Sequence, residues 1–521
     1  MTASALHPLS RVLEFTARGW WVPDTLDELF RRQVRARPGA LAVVDSSDKA
    51  ELTGIEPRRW SWARLHVEVD RLAALLQRHG VGPGDIVAVQ LPSCVELVAT
   101  FLAVVRLGGV VCPIPVQYRE YELRALLPLA GARTLVTATR INGRRYAEFA
   151  RQVCGEAVTV LAFGANVPRR VVQVDAAEHV VPVRSYEADP NHCVSICWTS
   201  GTEGTPKAVP RAHYDWLAIA RACAEAAALT ADDVILSPFP LVNVAGIGAS
   251  LVPWLLSGCR LVLHQPVALA ALVRQLSEEH VTCAVVPPAV LAALARWDVP
   301  SLRTVVAGSG PLSPVAVRDC PAPVVSFFAS CEGTVLFCSP KDVADPEARA
   351  RLFPRSGAMR MRLVDPVTER EIVESGRPGE LRVAGPTVIP GYLLGTGDDP
   401  FDDLGFLRTG DLFEFAGPGG RYLRYVDRVR DVIVRQGARV VPSEVEAVLV
   451  AHAGVAEAAV VGDADGKACA FVVAGGAVSG DDLAVHLRGY RVEVPERFEF
   501  VDALPRNFAG RVVRRELRRR L

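Results

Sequence analysis

Apolar runs of strand length alternate with helix-like runs through most of this sequence. The run DIVAVQL at 85–91 is followed by a helical pattern at 95–108 and by a second strand-like run, TLVTAT, at 134–139. From 260 the same order returns, since RLVLH, LAALVRQLSEEH and CAVVPP have the patterns of strand, helix and strand. Strands that are joined through helices run parallel, with both faces of the sheet covered. The alternation predicts an α/β fold built on mostly parallel sheets.

The pattern changes after residue 360. Short strand-like runs separated by Gly and Pro turns, as in GRPGELRVAGPTVIPGYL at 376–393, indicate a β-rich subdomain. A turn-rich stretch at 417–431 then meets a charged one before the pattern restarts, which is typical of a domain boundary. We therefore expect a large N-terminal domain, 1–427, made of α/β sheet subdomains and the β-rich subdomain, and a small α+β C-terminal domain, 428–521.

Charge and hydropathy exclude several classes of partner. Lys plus Arg and Asp plus Glu both total 58, so the chain has no net charge to attract nucleic acid or an anionic membrane. The N-terminal residues lack a basic head followed by an apolar run, so we expect no secretory signal and a cytoplasmic protein. The most apolar stretch, 234–259, is interrupted by Pro238, Pro240 and Pro253, which favours strand, loop and helix over a membrane span. Small ligands fit this composition best.

One loop has the composition of a phosphate-binding loop. The sequence TSGTEGTPK at 199–207 follows the apolar strand VSICW and combines glycines, hydroxyls and a lysine, in a chain that has only four lysines. Backbone N–H groups, hydroxyls and an ammonium group can surround phosphate oxygens. The glycine spacing is not that of the Walker loop. A surface turn rich in Gly and Thr is the alternative interpretation of these residues alone.

The other segments of the chain favour the phosphate loop. In chain order they are PLVNVAG at 240–246, FASCE at 328–332, LRTGDL at 407–412, VDRVRDVIVRQGARVVPSEVE at 426–446 and PRNFAGRVVRREL at 505–517. With the loop they resemble the motifs of the adenylate-forming superfamily of acyl-CoA synthetases, nonribosomal adenylation domains and luciferases. The resemblance covers nearly the whole chain and is greatest for the acyl-CoA ligase and aryl-acid ligase branches. It implies a ligase that joins a carboxylic acid to a thiol through an acyl-adenylate.

The resemblance implies a nucleotide site, position by position. Glu332 would hold Mg²⁺ on the phosphates of ATP, because a hard cation prefers carboxylate and phosphate oxygen. Asp411 would bind both ribose hydroxyls, and Arg428 would add a ribose or phosphate contact. The other nucleotide-binding residues that it implies are Thr199, Ser200, Gly201, Thr202, Lys207, Cys331 and Phe328, which would stack on adenine. These contacts would serve ATP and an acyl-AMP alike.

Members of this superfamily move a small C-terminal domain between an adenylating pose and a thioester-forming pose. Arg430 occupies the hinge position, and Gly437 matches the glycine that lines the tunnel for the CoA thiol. Asn243 is implied both as a catalytic residue and as part of the acyl pocket. The pocket residues are Asn243, Val244, Gly246, Gly248 and Gly308. Small residues there would leave room for a bulky hydrophobic carboxylic acid or its acyl-AMP, as in terpenoid-acid CoA ligases of the platensimycin type in antibiotic biosynthesis.

Three positions depart from the family pattern. Arg511 stands where the catalytic lysine of the C-terminal loop is expected, Glu203 replaces a threonine of the phosphate loop, and Cys331 replaces a threonine near the α-phosphate. A guanidinium is a planar fork and an ammonium a point charge, so the first exchange is not conservative. All three departures concern the reaction with ATP. We therefore hypothesise that the chain transfers an acyl group from acyl-AMP to CoA, while a separate adenylating enzyme supplies the acyl-AMP.

Two alternatives stay open. The chain is a complete ATP-dependent acyl-CoA or aryl-acid ligase if Arg511 replaces the lysine adequately, and a non-catalytic acyl-AMP binding protein if neither half-reaction survives. The thiol acceptor is open too, since a carrier-protein thiol is the alternative to CoA. The retained Glu332, Asp411, Arg428 and Gly437 argue against binding alone, which needs neither hinge nor tunnel.

Overall fold

The described part of the chain has ten segments. The computed structural model describes residues 5–175, 183–199, 206–265, 269–308, 310–355, 357–393, 399–435, 438–490, 492–506 and 512–521, with the backbone alone at 434, 435, 438 and 439. These residues form two compact units. The first comprises Met1–Thr199, Pro206–Ala350 and Gly385–Asp399, and the second comprises Arg351–Ala384 and Pro400–Leu521. The domain boundary at 427 and 428 stays a prediction.

The first unit contains a seven-stranded sheet within the described residues. Its strands, in spatial order, are Ala208–Ala212, Cys193–Trp198, Val110–Pro113, Ile86–Val89, Thr134–Ala138, Thr159–Phe163 and Val172–Gln173. All neighbouring pairs are parallel except the first, where Ala208–Ala212 returns antiparallel to Cys193–Trp198. The strands expected near 85–91 and 134–139 are confirmed, because their apolar side chains are buried on both faces.

A second sheet of the first unit has eight described strands. In spatial order they are Val335–Cys338, Val324–Ala329, Thr304–Gly308, Cys283–Val286, Val234–Ser237, Arg260–Leu263, Leu41–Val44 and Arg59–Ser61. The two outermost pairs are antiparallel and the inner pairs are parallel. The second alternation of strand, helix and strand is therefore confirmed as well. In the apolar stretch 234–259, residues 238–243 form a loop after the strand Val234–Ser237, and a π-helix, Val244–Leu251, and the helix Val252–Ser257 follow it.

Helices cover both sheets. Those described in the first unit are Leu9–Ala17, Leu26–Ala36, Lys49–Thr53, Trp62–Arg78, Val95–Arg106, Glu120–Ala130, Tyr146–Cys154, His213–Ala226, Val252–Ser257, Leu269–Glu278, Pro288–Leu294, Pro314–Arg318 and Pro346–Arg349. Their ends follow local chemistry. The Thr25 side chain accepts a hydrogen bond from Glu28 N while the Glu28 carboxylate accepts from Thr25 N, a capping box that starts Leu26–Ala36. Over the described ranges, no helix is both long enough and apolar enough to cross a bilayer.

The second unit begins with a six-stranded sheet, which confirms the β-rich region expected after residue 360, and all its neighbouring strands are antiparallel. Its described strands, in spatial order, are Leu352–Pro354, Tyr422–Arg428, Leu407–Ala416, Gly379–Ala384, Arg360–Val364 and Glu371–Ile372. One part of the expectation is wrong. The stretch Gly385–Asp399, which follows the strand Gly379–Ala384, belongs to the first unit, where the carbonyl groups of residues 385–388 accept hydrogen bonds from side chains.

The remainder of the second unit is a small α+β assembly. Its described strands are Ile433–Arg435 with Ala438–Val440, and Val455–Gly462, Ala468–Ala474 and Arg497–Phe500; its helices are Pro442–Val450, Gly480–Arg488 and Arg514–Arg518. The predicted fold class, α/β with a β-rich subdomain and a small α+β C-terminal part, is confirmed.

A buried charge cluster joins the two sheets of the first unit. Lys49 Nζ lies 2.6 Å from Asp45 Oδ2 and 2.7 Å from Glu96 Oε1, and the three side chains are at most 3% exposed. Asp45 follows the strand Leu41–Val44, and its other oxygen accepts from Val95 N at 2.9 Å, at the start of the helix Val95–Arg106. Burial raises the pKa of Asp45 to about 6, against the opposing effect of the Lys49 ammonium. The lysine neutralises two carboxylates that have lost their water.

Replacing Lys49 by methionine should destabilise the first unit strongly. The variant keeps the length of the side chain but leaves Asp45 and Glu96 buried without their common cation, and we expect a loss of about 3–5 kcal/mol in the free energy of unfolding. Urea unfolding followed by tryptophan fluorescence measures it. Lys467→Met is the matched control, because Lys467 is exposed and its loss should cost less than about 0.5 kcal/mol. Equal stability of the two variants would contradict the assigned role of Lys49.

Candidate active site

The base of the predicted phosphate loop is closed by two hydrogen bonds. Thr199 N donates to Lys207 O at 3.0 Å, and Lys207 N donates to Thr199 Oγ1 at 2.9 Å. The strands Cys193–Trp198 and Ala208–Ala212 lead into and out of this closure. The structure therefore brings Thr199 and Lys207 together at the mouth of the loop. Ser200, Gly201, Thr202 and Glu203 lie outside the described residues.

The residues of FASCE lie at the end of an inner strand of the eight-stranded sheet. Phe328 is in the strand Val324–Ala329, and Cys331 and Glu332 are in the turn that leads to Val335–Cys338. The turn is closed by Ser330 N donating to Thr334 O at 2.9 Å. Gly333 has φ +108°, and a Cβ atom there would lie 1.9 Å from Thr387 O. Only glycine lets this turn touch the segment that begins at Gly385.

In the segment that begins at Gly385, the carbonyl groups of residues 385–388 each accept a hydrogen bond from a side chain. Arg11 donates to Gly385 O at 2.7 Å and to Val388 O. Trp21 Nε1 donates to Pro386 O at 2.9 Å, and Arg211 donates to Thr387 O at 2.6 Å. The second NH₂ group of Arg211 donates to Cys331 O. The planar fork of Arg211 thus joins the segment to the turn that carries Glu332.

Two further bonds join the same pieces. Thr387 Oγ1 donates to Gly333 O at 2.7 Å, and Ile389 N donates to Glu332 O at 3.0 Å. The position of the Glu332 backbone is therefore set by residues from distant parts of the sequence. The sequence analysis did not identify Arg11, Trp21 or Arg211 as residues that position the site. Arg211 lies four residues after the run TSGTEGTPK at 199–207, but no local pattern indicates which carbonyls an arginine will bind.

Glu332 and Lys207 both contact Tyr392. The Tyr392 hydroxyl donates to Glu332 Oε1 at 2.8 Å, and the Lys207 ammonium nitrogen lies 4.8 Å from the centroid of the tyrosine ring. Burial and the neighbouring Glu332 carboxylate raise the pKa of Tyr392 far above its usual range, so the hydroxyl stays protonated and remains a donor. Tyr392 was not among the predicted site residues, although it is the penultimate residue of the run GRPGELRVAGPTVIPGYL at 376–393.

Asn243 caps the π-helix Val244–Leu251, in the segment predicted to line an acyl pocket. Its Oδ1 accepts from Ala245 N at 3.1 Å and from Gly246 N at 3.3 Å, and Val244 is buried at the first helical position. Wide π turns are frequent at functional sites. The half-buried Asn243 therefore has a local structural role at this end of the helix, whatever ligand it meets.

The structure explains the three pocket glycines by packing. A Cβ atom on Gly246 would lie 2.1 Å from Pro240 O, one on Gly308 would lie 2.0 Å from Phe327 O, and one on Gly248 would lie 2.8 Å from an Ile219 methyl group. At each of these glycines, protein atoms already occupy the space that a side chain would fill. The argument that these glycines leave room for a bulky acid therefore loses its basis, and their place in a pocket stays a prediction.

The second unit holds the other predicted nucleotide residues. Asp411 and Arg428 are paired across the antiparallel strands Leu407–Ala416 and Tyr422–Arg428, with Arg428 Nε 3.3 Å from Asp411 Oδ1. The Asp411 backbone is fixed by Thr409, whose Oγ1 accepts from Asp411 N at 3.1 Å and donates to Leu381 O at 2.6 Å. The structure brings these two predicted residues together, with the carboxylate largely buried and the guanidinium about one third exposed.

Arg430 lies in the turn after the strand Tyr422–Arg428. Its Nε is 4.0 Å from Asp431 Oδ1, and its side chain is 34% exposed. Beyond the turn, Ser443 N donates to Asp427 Oδ2 at 2.9 Å, and burial raises the pKa of Asp427. Arg518 Nη2 lies 2.7 Å from Asp431 Oδ1. Contacts on both sides of Arg430 thus fix this turn. Gly437 and Arg511 lie outside the described residues.

Arg211→Lys should loosen the turn that carries Glu332. Lysine keeps the charge, but one ammonium does not reproduce the two arms that bind Thr387 O and Cys331 O, and one carbonyl loses its donor. We expect a loss of about 2 kcal/mol in the free energy of unfolding, measured by urea denaturation. Arg221→Lys, at an exposed position of the helix His213–Ala226, is the control. A variant as stable as this control would contradict the role of the fork.

The chain matches known proteins along its whole length. The model of the AMP-binding enzyme family matches residues 30–393, and that of the AMP-binding enzyme C-terminal domain matches residues 444–511. The chain is 30% identical to a salicyl-AMP ligase / salicyl-S-ArCP synthetase of Mycobacterium tuberculosis over 543 residues, covering 99% of this chain and 94% of that protein.

Two further matches cover nearly as much. A CoA ligase of Mycobacterium tuberculosis, named for a propanoyl group that carries a methyl-dioxo-octahydroindenyl bicycle, is 30% identical over 95% of this chain and 98% of its own. ATP-bound MatB from Rhodopseudomonas palustris superposes with a TM-score of 0.81 at 25% identity, covering 95% of this chain and 99% of that one.

Proposed function

Because this chain belongs to the family of AMP-binding enzymes, we propose that it is an acid–thiol ligase that transfers an acyl group from acyl-AMP to CoA. Membership in the adenylate-forming acyl- and aryl-acid ligase superfamily is the premise. The observation that carries the proposal is the convergence of Lys207 and Glu332 on Tyr392, since a cation and a carboxylate at the mouth of a hydroxyl- and glycine-rich loop suit the phosphate of a nucleotide.

Glu332 fits a magnesium ion. Its side chain accepts a hydrogen bond from Tyr392 through Oε1, and a carboxylate has a second oxygen that can bind a cation. In the part of the chain that is described, no group of three or more His, Cys, Asp or Glu side chains could hold a metal ion. A magnesium ion at Glu332 would therefore share its coordination with phosphate oxygens and water, as Mg²⁺ commonly does. When bound, it supplies positive charge against the phosphates of ATP.

Asp411 and Arg428 would make the ribose contacts. Asp411 has two acceptor oxygens, which suit the two hydroxyls of ribose, and its backbone is held by Thr409. The Arg428 guanidinium beside it balances the charge and would add a ribose or phosphate contact. Phe328 would stack on adenine, with Thr199 and Lys207 on the phosphates. These roles serve ATP and acyl-AMP equally.

Thioester formation would follow a rotation at Arg430. The CoA thiolate attacks the acyl carbonyl carbon, a new C–S bond forms, and the C–O bond to AMP breaks. Such a rotation changes the contact between Ser443 and Asp427, because the two residues lie on opposite sides of the hinge in the chain. In the second pose Gly437 would line the tunnel for the thiol, while Arg511 would leave the site.

The substrate that we propose is a bulky hydrophobic carboxylic acid. The M. tuberculosis CoA ligase named for a bicyclic propanoyl group supports a polycyclic acid, and the salicyl-AMP ligase supports an aromatic one. Asn243, Val244, Gly246, Gly248 and Gly308 would lie around it. CoA is the proposed acceptor, although the salicyl ligase is also named as a carrier-protein synthetase. Arg511, Glu203 and Cys331 support impaired adenylation, with a separate adenylating enzyme as the source of acyl-AMP.

Two assays on one protein test the split reaction. With acid, ATP, Mg²⁺ and CoA the chain should release little pyrophosphate, whereas synthetic aromatic or polycyclic acyl-AMP plus CoA should give acyl-CoA and AMP. Loss of a transition-state contact costs roughly a hundred- to thousandfold in rate, so Arg511→Lys should raise pyrophosphate release by about tenfold or more. Arg515→Lys, also near the C-terminus and exposed, is the control.

Gly437→Trp should block thioester formation and retain acyl-AMP binding, because the indole would fill the tunnel.

The two assays on the unmodified chain also distinguish the alternatives. Rapid pyrophosphate release by the unmodified chain would reject the split reaction and establish a complete ligase. Binding of acyl-AMP without turnover in either assay would establish a binding protein.

Asp411→Ala should abolish use of acyl-AMP. Removing the acceptor of two ribose hydroxyls should lower kcat/KM for acyl-AMP and CoA by at least about a hundredfold. The rate of AMP release measures it. Asp403→Ala is the control, since Asp403 is exposed in the same unit. If Asp411→Ala keeps the rate of the Asp403 variant, the ribose is bound elsewhere.

A further inference from the structure

Tyr392 contacts two side chains of opposite charge, one through its hydroxyl and the other through its ring. Its hydroxyl donates to Glu332 Oε1 at 2.8 Å, and its ring centroid lies 4.8 Å from Lys207 Nζ. All three side chains are partly exposed, so a ligand can reach the charges. One aromatic residue is shared between the lysine of the phosphate loop and the carboxylate of the 330–333 turn.

The two contacts have different physical origins. The face of an aromatic ring carries negative potential and attracts an ammonium group. The phenolic O–H is a donor, and a carboxylate is its strongest kind of acceptor. A lysine and a glutamate on neighbouring loops that lack such a spacer are free to form a direct ion pair, in which each neutralises the other.

The backbone fixes Tyr392 relative to the turn. Ile389 N donates to Glu332 O at 3.0 Å, and Thr387 Oγ1 donates to Gly333 O at 2.7 Å. The carbonyls of the same segment are held by Arg11, Trp21 and Arg211. The tyrosine lies three residues beyond Ile389, so its ring starts from a backbone that is already anchored to the turn of Glu332.

We propose that Tyr392 is a positioning residue that keeps Lys207 and Glu332 apart, so that the ammonium remains available to phosphate and the carboxylate to Mg²⁺. The inference rests on the proposed function, which gives these two residues those ligands. The ring binds the ammonium group on its face, and the hydroxyl binds the carboxylate until a metal cation takes the place of the hydroxyl. Both charges then act on the nucleotide instead of on each other.

The test measures binding of ATP by calorimetry with Mg²⁺ and with EDTA. The magnesium gain is the dissociation constant in EDTA divided by the dissociation constant in Mg²⁺, so it measures how much the metal strengthens ATP binding. Tyr392→Phe removes the hydroxyl and keeps the ring, so it should lower the magnesium gain by about tenfold, the effect typical of a lost partner of a metal ligand. It should leave affinity in EDTA within about twofold, since the cation–π contact remains. Tyr392→Leu should weaken binding in both buffers.

The control is Tyr146, a second tyrosine of the first unit whose hydroxyl donates a hydrogen bond. The Tyr146 hydroxyl donates to Tyr118 O at 3.1 Å, far from the site in sequence, and Tyr146→Phe should keep the wild-type magnesium gain. Two double variants identify the partners. In Glu332→Gln the hydroxyl has no carboxylate to hold, so adding Tyr392→Phe should change nothing further. In Lys207→Met no ion pair can form, so Tyr392→Phe should lose most of its effect.

The outcomes separate this inference from the proposed function. If the unmodified chain has no magnesium gain, or Glu332→Gln keeps it, the metal assignment falls and the inference with it. If Glu332→Gln loses the gain while Tyr392→Phe behaves like Tyr146→Phe, the inference alone is wrong. An equal effect of Tyr392→Phe with and without Lys207 would reject the separation of charges. Melting temperatures of all variants, compared with Tyr146→Phe, identify losses due to unfolding.

Discussion

Four consecutive carbonyl groups, from Gly385 to Val388, have to find hydrogen-bond donors in the interior of the first unit. A buried carbonyl without a donor is costly, and here the donors are the side chains of Arg11, Trp21 and Arg211. The pairing draws together the N-terminal helix, the strand after the phosphate loop and the chain that returns from the six-stranded sheet. It also defines where the turn of Glu332 lies, because Arg211 binds Cys331 O as well.

The site chemistry depends on that pairing. Lys207, Glu332 and Tyr392 come from three separate parts of the sequence, and they meet because the segment after Ala384 leaves its sheet and packs in the first unit. In the second unit the ribose site that we propose is simpler. Asp411 and Arg428 face each other across two antiparallel strands, so their register alone brings the carboxylate and guanidinium into contact.

The departures at Arg511, Glu203 and Cys331 have to be compared with the residues that do match the family pattern. The groups that suit a bound nucleotide of either kind, namely Lys207, Glu332, Asp411 and Arg428, are intact. We propose that the chain catalyses the second half of an adenylate-forming reaction, because these four groups serve either nucleotide whereas the three departures concern residues implied to act on ATP. Kinetics with a preformed acyl-AMP decide between that division and a complete ligase.

The sequence alone determined the mostly parallel sheets and the short strands after residue 360, and it indicated the residues of the proposed nucleotide site, because these depend on local periodicity and on motifs that are contiguous in the chain. It did not determine the place of the 385–393 segment, since the donors that hold its carbonyls are up to 377 residues away. It also suggested open space beside Gly246, Gly248 and Gly308, where protein atoms lie close to the backbone. Tertiary structure alone decided these points, and with them the position of Tyr392, because a glycine or a tyrosine in a sequence does not specify which distant atoms will pack against it.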